Sequence, residues 1–199
     1  MITDVIKPKP QQQHADSSER LRFSLFVTTY HKYNTGEGGG QWLDLNSFQQ
    51  KADFIAACKK IHADEQQPEL MFLDLDFPIA MNNLPLVHEC YVSKVMWESG
   101  LMECNQKTLD IIQDYLECTG RPTEFDASFM GQALEALYGV FDSVEDFAKS
   151  YLLELKLTLS NEEFKAIESL IPFIDYERYA KDLLKKDFSM ASTGRVFRL

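Results

Sequence analysis

The chain has 199 residues, of which 45% are apolar and 26% are charged, a composition typical of a soluble globular protein. No stretch approaches the roughly 18 apolar residues that a membrane span needs, and residues 1–20 lack the apolar centre of a signal peptide. The four cysteines lie far apart without a CxxC pair, which predicts ordinary buried thiols in a reduced, cytoplasmic protein. A pI near 4.8 argues against direct binding to nucleic acid or to anionic membranes, and it leaves a basic partner open.

The negative charge is concentrated in the middle of the chain. The formal net charge of −11 is made up of +2 from residues 1–61, −17 from residues 62–177 and +4 from residues 178–199. The middle segment has 23 acidic and six basic side chains. Such an excess is commonly only a solvating surface, but it is also what a strongly basic partner would recognise. The charge alone leaves both interpretations open.

The first predicted module extends over residues 21–80 and follows a flexible tail at 1–20. A period-two pattern predicts its first strand, from Phe23, Leu25 and Val27. The glycine-rich segment Asn34–Gly40 predicts a loop, and Gln41–Leu45 predicts a second strand.

A helix and a third strand complete this module. Asn46 or Ser47 is predicted to cap the helix, whose apolar side consists of Phe54, Ile55, Cys58 and Ile61. Leu70–Asp74 predicts the third strand. The module is therefore expected to be β-β-α-β, a small sheet covered by a helix.

The central module, residues 81–136, is predicted to be helical. Helices are expected at His88–Met102, where the pattern is weak, at Gln106–Cys118 and at Asp126–Leu137. The second of these has a clear buried stripe, formed by Leu109, Ile112 and Leu116.

The last module, residues 137–199, is predicted to be mixed. Tyr138–Phe141 and Val196–Leu199 have strand patterns. Three helix starts are predicted by the capping residues Ser143, Ser160 and Asp175. The fold class is therefore α+β, with three small modules in series.

Two motifs suggest catalysis, and both are weak. The loop Gly36–Gly40 lacks the GK[ST] ending of a phosphate-binding loop and joins two strands, which favours a hairpin connection. Asp74 and Asp76 follow an apolar strand, as the aspartate pair of magnesium-dependent phosphoryl-transfer enzymes does. Because neither a hydroxyl nor a lysine partner is evident nearby, a magnesium phosphohydrolase is kept only as an alternative function.

Two Cys/His pairs have spacings that could place both side chains on one metal ion. They are Cys58 with His62 and His88 with Cys90. Zinc sites usually show tighter paired spacings, and Cys58 lies on the apolar side of its helix, which favours packing. The sequence therefore predicts no catalytic residue, no metal site and no cofactor.

The helix Gln106–Cys118 is predicted to carry a row of carboxylates opposite its apolar stripe. Asp110, Asp114 and Glu117 stand at i, i+4 and i+7, and a rise of about 1.5 Å per residue spaces them by roughly 4.5–6 Å. This spacing is of the order of the phosphate spacing along a nucleic-acid strand. Because B-DNA carries about one charge per 1.7 Å of axis, the excess of 17 charges would match about 29 Å of duplex.

Nine segments of the chain resemble segments of the ArdA antirestriction proteins and follow one another in the same order. In the first module these are Thr29–Asn34, Gln41–Leu45, Phe54–Cys58, Ile61–Glu65 and Pro68–Asp74. In the last module they are Tyr138–Gly139, Phe173–Glu177, Ala180–Leu183 and Gly194–Arg198. The resemblance spans about residues 22–198 and leaves the N-terminal tail as an extension.

The resemblance implies an elongated homodimer of three small domains, associated with mobile genetic elements, that mimics B-form DNA. Such a protein occupies the DNA-binding groove of type I restriction–modification enzymes, formed by their modification and specificity subunits, and contacts neither nucleic acid nor membrane. An acidic adaptor for an unrelated protein is a second alternative. The uncharged strand Tyr138–Phe141 is a candidate dimer edge. The predicted partner contacts are the carboxylates Asp64, Glu65, Glu69, Asp74, Asp76, Glu89, Glu98, Glu103, Asp110, Asp114, Glu117, Glu124, Asp126, Glu135, Asp142, Glu145 and Asp146.

Overall fold

The structure is a computed structural model that describes residues 21–78, 81, 84–120, 122 and 125–199. The predicted tail at 1–20 and the predicted contact residue Glu124 lie outside the described residues. The described residues form two compact units: those up to Asp110 with those of 121–131, and Ile111–Gly120 with Gln132–Leu199. The division into three modules, with boundaries at 80/81 and 136/137, stays a prediction.

The first unit is built on a three-stranded antiparallel sheet. β1 (Ser24–Thr29) lies in the centre, between β2 (Gln41–Asp44) and β3 (Leu70–Asp76). All six residues of β1 are buried, because neighbouring strands pair with both of its edges and side chains cover both of its faces. With α2 (Lys51–Ile61) between β2 and β3, the predicted β-β-α-β order is confirmed.

A short helix, α1 (Tyr30–Thr35), lies between β1 and β2, where the sequence predicted only a strand end and a loop. Thr29 caps it, since its hydroxyl oxygen accepts a hydrogen bond from the amide of Lys32 at 3.2 Å. Gly36 ends it with a left-handed φ of 66°. The predicted hairpin connection through the glycine-rich segment is confirmed, because β1 and β2 pair antiparallel.

α2 covers the sheet with the apolar side that its sequence predicts. Phe54 and Cys58 are fully buried, and the ring of Phe54 lies 5.8 Å from that of Phe72 on β3. The predicted cap of this helix is wrong, because Asn46 and Ser47 lie in a separate 3₁₀ helix.

Asp44 turns the chain before α2 begins. Its carboxylate accepts a hydrogen bond from the amide of Asn46 at 2.9 Å and so caps the 3₁₀ helix Leu45–Ser47. The N-cap of α2 is Gln50, whose side chain makes no capping hydrogen bond. The two predicted capping residues thus lie inside the 3₁₀ helix, and neither of them caps α2.

The helix predicted over His88–Met102 is wrong in its first part. The amide of Phe72 on β3 donates to the carbonyl of Glu89 at 2.7 Å, so a tertiary contact stabilises a hairpin there. The segment contains, in order, β4 (Val87–His88), β5 (Tyr91–Val92), α3 (Val95–Glu98) and a 3₁₀ helix (Leu101–Glu103).

The second unit packs helices on another three-stranded antiparallel sheet, ordered β6-β8-β7. Its elements are α4 (Gln106–Thr119) from Ile111 onward, the end of α5 (Phe129–Ala136), β6 (Leu137–Val140), α6 (Val144–Thr158), α7 (Asn161–Glu168), α8 (Tyr176–Leu184), β7 (Phe188–Met190) and β8 (Arg195–Arg198). The sequence did not predict β7. The main core cluster consists of Phe147, Ala148, Ala180, Leu183, Phe188 and Val196.

The three predicted helix starts of this unit are confirmed. The hydroxyl oxygen of Ser143 accepts from the amide of Asp146 at 3.1 Å, and the carboxylate of Asp175 accepts from the amide of Arg178 at 3.0 Å. Ser160 and Glu163 form a complete capping box, in which each side chain accepts a hydrogen bond from the amide of the other. With helices and small sheets in both units, the α+β class is confirmed. No helix within the described parts of the chain is long and apolar enough to cross a membrane.

Candidate functional site

Most of the predicted contact carboxylates are at the surface. Glu65, Asp74 and Asp110 are half-buried, whereas Asp76 and Asp114 are buried. The eleven exposed members of the set are Asp64, Glu69, Glu89, Glu98, Glu103, Glu117, Asp126, Glu135, Asp142, Glu145 and Asp146. We call these eleven residues the exposed carboxylate set.

The expectation of a solvent-facing carboxylate row on α4 is wrong at its central residue. The carboxylate of Asp114 is only 5% exposed, and it accepts hydrogen bonds from the guanidinium of Arg195 and from the hydroxyl of Thr193. Ile111 is buried as well as Ile112, so the buried face of α4 is wider than the predicted stripe and includes Asp114. The Arg195–Asp114 ion pair therefore belongs to the interior of the second unit.

The two neighbours of Asp114 in the predicted row also have internal partners. Glu117 is exposed, but its two carboxylate oxygens accept from the amide of Ser192 at 2.9 Å and from the hydroxyl of Ser192 at 3.0 Å. Asp110 accepts from the side-chain amide of Gln106 at 2.8 Å. Asp114 and Glu117 thus hold residues 192–195 against α4, whereas Asp110 bonds to a residue of its own helix.

A second internal cluster lies in the first unit around Lys32. Its ammonium group lies 2.8 Å from the carboxylate of Asp64, 3.8 Å from that of Glu65 and 3.2 Å from Nδ1 of His62. The hydroxyl of Thr29 donates to Glu65 at 2.6 Å. The hydrogen bond from Lys32 lowers the pKa of Asp64, and burial followed by the charge of Lys32 lowers the pKa of His62. The single positive charge of Lys32 therefore offsets one of the two negative charges of Asp64 and Glu65.

Some exposed carboxylates are held in fixed positions at turns and helix starts. The hydroxyls of Ser128 and Ser143 donate to Asp126 and Asp146 at 2.6 Å and 2.7 Å. These hydrogen bonds are the main cause of the lowered pKa of each carboxyl. Both groups therefore stay ionised at pH values where an ordinary aspartate begins to be protonated. Such carboxylates present a negative charge with little loss of side-chain freedom on binding.

The predicted contact set left out six carboxylates of the acidic segment. They lie in the second unit, and the same charge excess that selected the others would have indicated them. They are Glu154, Glu162, Glu163, Glu168, Asp175 and Glu177, all of them exposed.

The alternative catalytic and metal residues do not converge. Asp74 and Asp76 lie on β3, where Asp76 is buried and Asp74 accepts from the amide of Leu75 at 2.8 Å. Cys58 packs in the core as predicted, and burial raises the pKa of its thiol to about 12. His88 and Cys90 are both exposed. Among the residues that the structure describes, no three His, Cys, Asp or Glu side chains form a group that could hold a metal ion.

Comparison with known families identifies the family of this chain. The sequence model of the family described as "Antirestriction protein (ArdA)" matches residues 25–197. The chain belongs to the ArdA antirestriction family. The match begins in β1 and ends in β8, so both compact units are parts of an ArdA protein, as the resemblance predicted. A comparison with curated proteins gives no match.

Proposed function

We propose that this ArdA protein inhibits type I restriction–modification enzymes by occupying their DNA-binding groove with an acidic surface that mimics B-form DNA. The observation that carries the proposal is that most members of the exposed carboxylate set make no ion pair with a cationic side chain of the described residues. Among the described residues, only Asp64, Glu98 and Asp146 of the eleven make an ion pair, with Lys32, Lys94 and Lys149. Of the other eight, Glu117 is held by Ser192, and the remaining seven leave their charge to solvent or to a basic partner.

The internal ion pairs reduce the charge that is available for this mimicry. Arg195 and Lys32 lie outside residues 62–177, and each neutralises one carboxylate of that segment in a cluster with a buried group. Lys181 and Arg198 also lie outside it and pair with Glu177 and Glu154, but these pairs are exposed to water and are therefore weak. An excess of 17 charges less the two that Arg195 and Lys32 neutralise leaves 15, which corresponds to about 26 Å of duplex at one charge per 1.7 Å. A dimer presents twice this charge, which corresponds to about 51 Å of duplex, or about one and a half helical turns.

The proposed mechanism requires no chemical step. When DNA phosphates bind to the cationic side chains of a groove, they displace the anions that were associated with those side chains. Carboxylates of similar density would displace the same anions. The contacts are made with the modification and specificity subunits, in the cytoplasm where these enzymes act on DNA, and no cofactor takes part. Because the free energy of binding is spread over many contacts, no single carboxylate dominates.

A competition experiment tests the location of the charge separately from its total. Glu103, Glu135, Asp142 and Glu145 are changed together to the amides, which removes four exposed charges of the acidic segment. The matched control removes four charges elsewhere, by amide substitution of Glu37, Asp53, Asp182 and Asp187.

The two variants have the same net charge, but the proposal gives them different outcomes. The first should displace duplex DNA from a type I modification complex more weakly, with a shallower dependence of affinity on salt. The control should behave like the unmodified protein. Equal losses in both variants would mean that only total charge matters, and no displacement by the unmodified protein would remove the proposed function.

We also propose that β6 forms the dimer contact. It is an edge strand of its sheet, its sequence Leu137–Val140 is uncharged, and Val140 is 64% exposed. Edge strands of monomeric proteins usually carry a charge or a proline that blocks pairing, and this one carries neither.

A further inference from the structure

The turn after α7 exposes two large apolar side chains on one side. The amide of Phe173 donates to the carbonyl of Leu170 at 2.9 Å and closes a 3₁₀ turn, in which side chains three residues apart are aligned. Leu170 is 59% exposed and Phe173 is 84% exposed. In the same turn Ile171 and Ile174 are partly buried, so the turn has an inward side and Phe173 is not on it. Apolar groups that are exposed together in this way are typical of contact surfaces.

The surroundings of this pair are acidic. α7 carries the exposed carboxylates Glu162, Glu163 and Glu168 against one exposed lysine, Lys165, and Asp175 follows the turn. The hydroxyl of Ser160 donates to Glu163 at 2.7 Å, and this hydrogen bond lowers the pKa of that carboxyl. An apolar centre with charged neighbours is the usual composition of a protein–protein contact, and here the partner has to be cationic.

We infer that Leu170 and Phe173 dock on an apolar patch beside the cationic DNA-binding groove of the restriction–modification enzyme. This inference rests on the proposed function and extends it, because a DNA duplex has no apolar side chain to offer at such a position. The apolar contact adds binding free energy that salt does not screen, whereas the carboxylates supply the salt-dependent part.

A second copy of the chain fits this surface less well. In a two-fold symmetric contact the same patch lies on both partners, so Glu162 and Glu168 of one copy would approach the same acidic patch of the other. Like charges at such a contact are repulsive, whereas a cationic groove is attractive. The charge around Phe173 therefore favours the enzyme as the occupant.

The experiment measures the affinity of three variants for a purified type I modification complex that the unmodified protein inhibits, over a range of salt concentrations. Phe173→Ser should weaken binding by about tenfold at every salt concentration, as loss of an apolar anchor does, and should leave the salt slope unchanged. Glu162→Gln combined with Glu168→Gln should instead reduce the salt slope. Tyr33→Ser is the control, since Tyr33 is an aromatic residue of α1 that is 47% exposed.

Two further measurements separate the possible outcomes. Thermal unfolding should show that Phe173→Ser is as stable as the unmodified protein, and Phe173→Leu should restore most of the affinity. Equal affinities of Phe173→Ser and the unmodified protein would overturn the inference while leaving the proposed function intact. A change in oligomeric state without a change in affinity would also overturn it and would assign the surface to a second copy. If the unmodified protein bound no type I complex, the proposed function itself would fail.

Discussion

The ion pair between Asp114 and Arg195 gives the sharpest test of which carboxylates belong to the interior. Its side chains are 5% and 20% exposed, and Thr193 donates a further hydrogen bond to Asp114. Asp114→Ala leaves a mostly buried guanidinium without its anion, a change that costs about 3–5 kcal/mol in fully buried pairs. Because Arg195 retains some contact with water, we expect a loss of about 2–4 kcal/mol in the free energy of unfolding.

Urea unfolding of three variants measures this effect. Asp110→Ala removes a half-buried carboxylate of the same helix and should change the free energy of unfolding by less than about 0.5 kcal/mol. The double variant Asp114→Leu with Arg195→Met replaces both charges by apolar groups. It should be more stable than Asp114→Ala, because no charge is left buried without a partner.

The same variants distinguish a structural role from a contact role. If Asp114 is internal, inhibition by Asp114→Ala should be lost only under conditions in which the protein unfolds, and the double variant should inhibit normally. If Asp114→Ala were as stable as the unmodified protein and inhibited less, the burial argument would be refuted. Asp114 would then return to the contact surface on which the sequence placed it.

Three further predictions concern pH, assembly and a turn. The pKa of His62 is lowered, so the folded state favours the neutral imidazole, and this group should reduce the free energy of unfolding as the pH falls below 6.5. The urea midpoint of His62→Gln should therefore change less between pH 7.5 and 5.5 than that of the unmodified protein. Val140→Asp places a charge on the edge of β6 and should give a monomer in sedimentation at micromolar concentration, whereas an unchanged dimer would exclude this edge as the interface. Gly194 has a φ of 86°, and a Cβ there would lie 2.4 Å from the carbonyl oxygen of Phe141. Gly194→Ala should therefore lower the free energy of unfolding by about 2 kcal/mol or more, and an unchanged thermal midpoint would contradict this.

Local signals in the sequence were sufficient for the parts of the fold that local chemistry determines. Ser143, Ser160 and Asp175 each cap the helix that they were predicted to cap, because a capping hydrogen bond involves residues only three apart. The alternation at β1 likewise predicted a strand. The hairpin β4–β5 was missed because its stabilising contact comes from β3, a distant part of the sequence.

The errors at the candidate site have the same origin. Asp114 looked like a surface carboxylate because helical periodicity placed it away from the stripe that contains Leu109 and Ile112. Its partner Arg195 lies 81 residues away, and no pattern within α4 indicates that contact. Lys32 is similarly 32 residues from Asp64. Composition predicts how much charge a segment carries, but only the fold decides which charges are neutralised.

The positions of the cations favour binding over mere solvation as the purpose of the acidic surface. A surface that only had to keep the protein soluble could intersperse lysines among its carboxylates and so relieve their repulsion. Instead the acidic segment contains six basic side chains for 23 acidic ones. Two cations from outside it, Lys32 and Arg195, reach carboxylates in clusters that also include a buried His62 or a buried Asp114. The fold thus neutralises charge where burial would make it costly, and among the described residues most of the exposed carboxylates of the acidic segment make no ion pair.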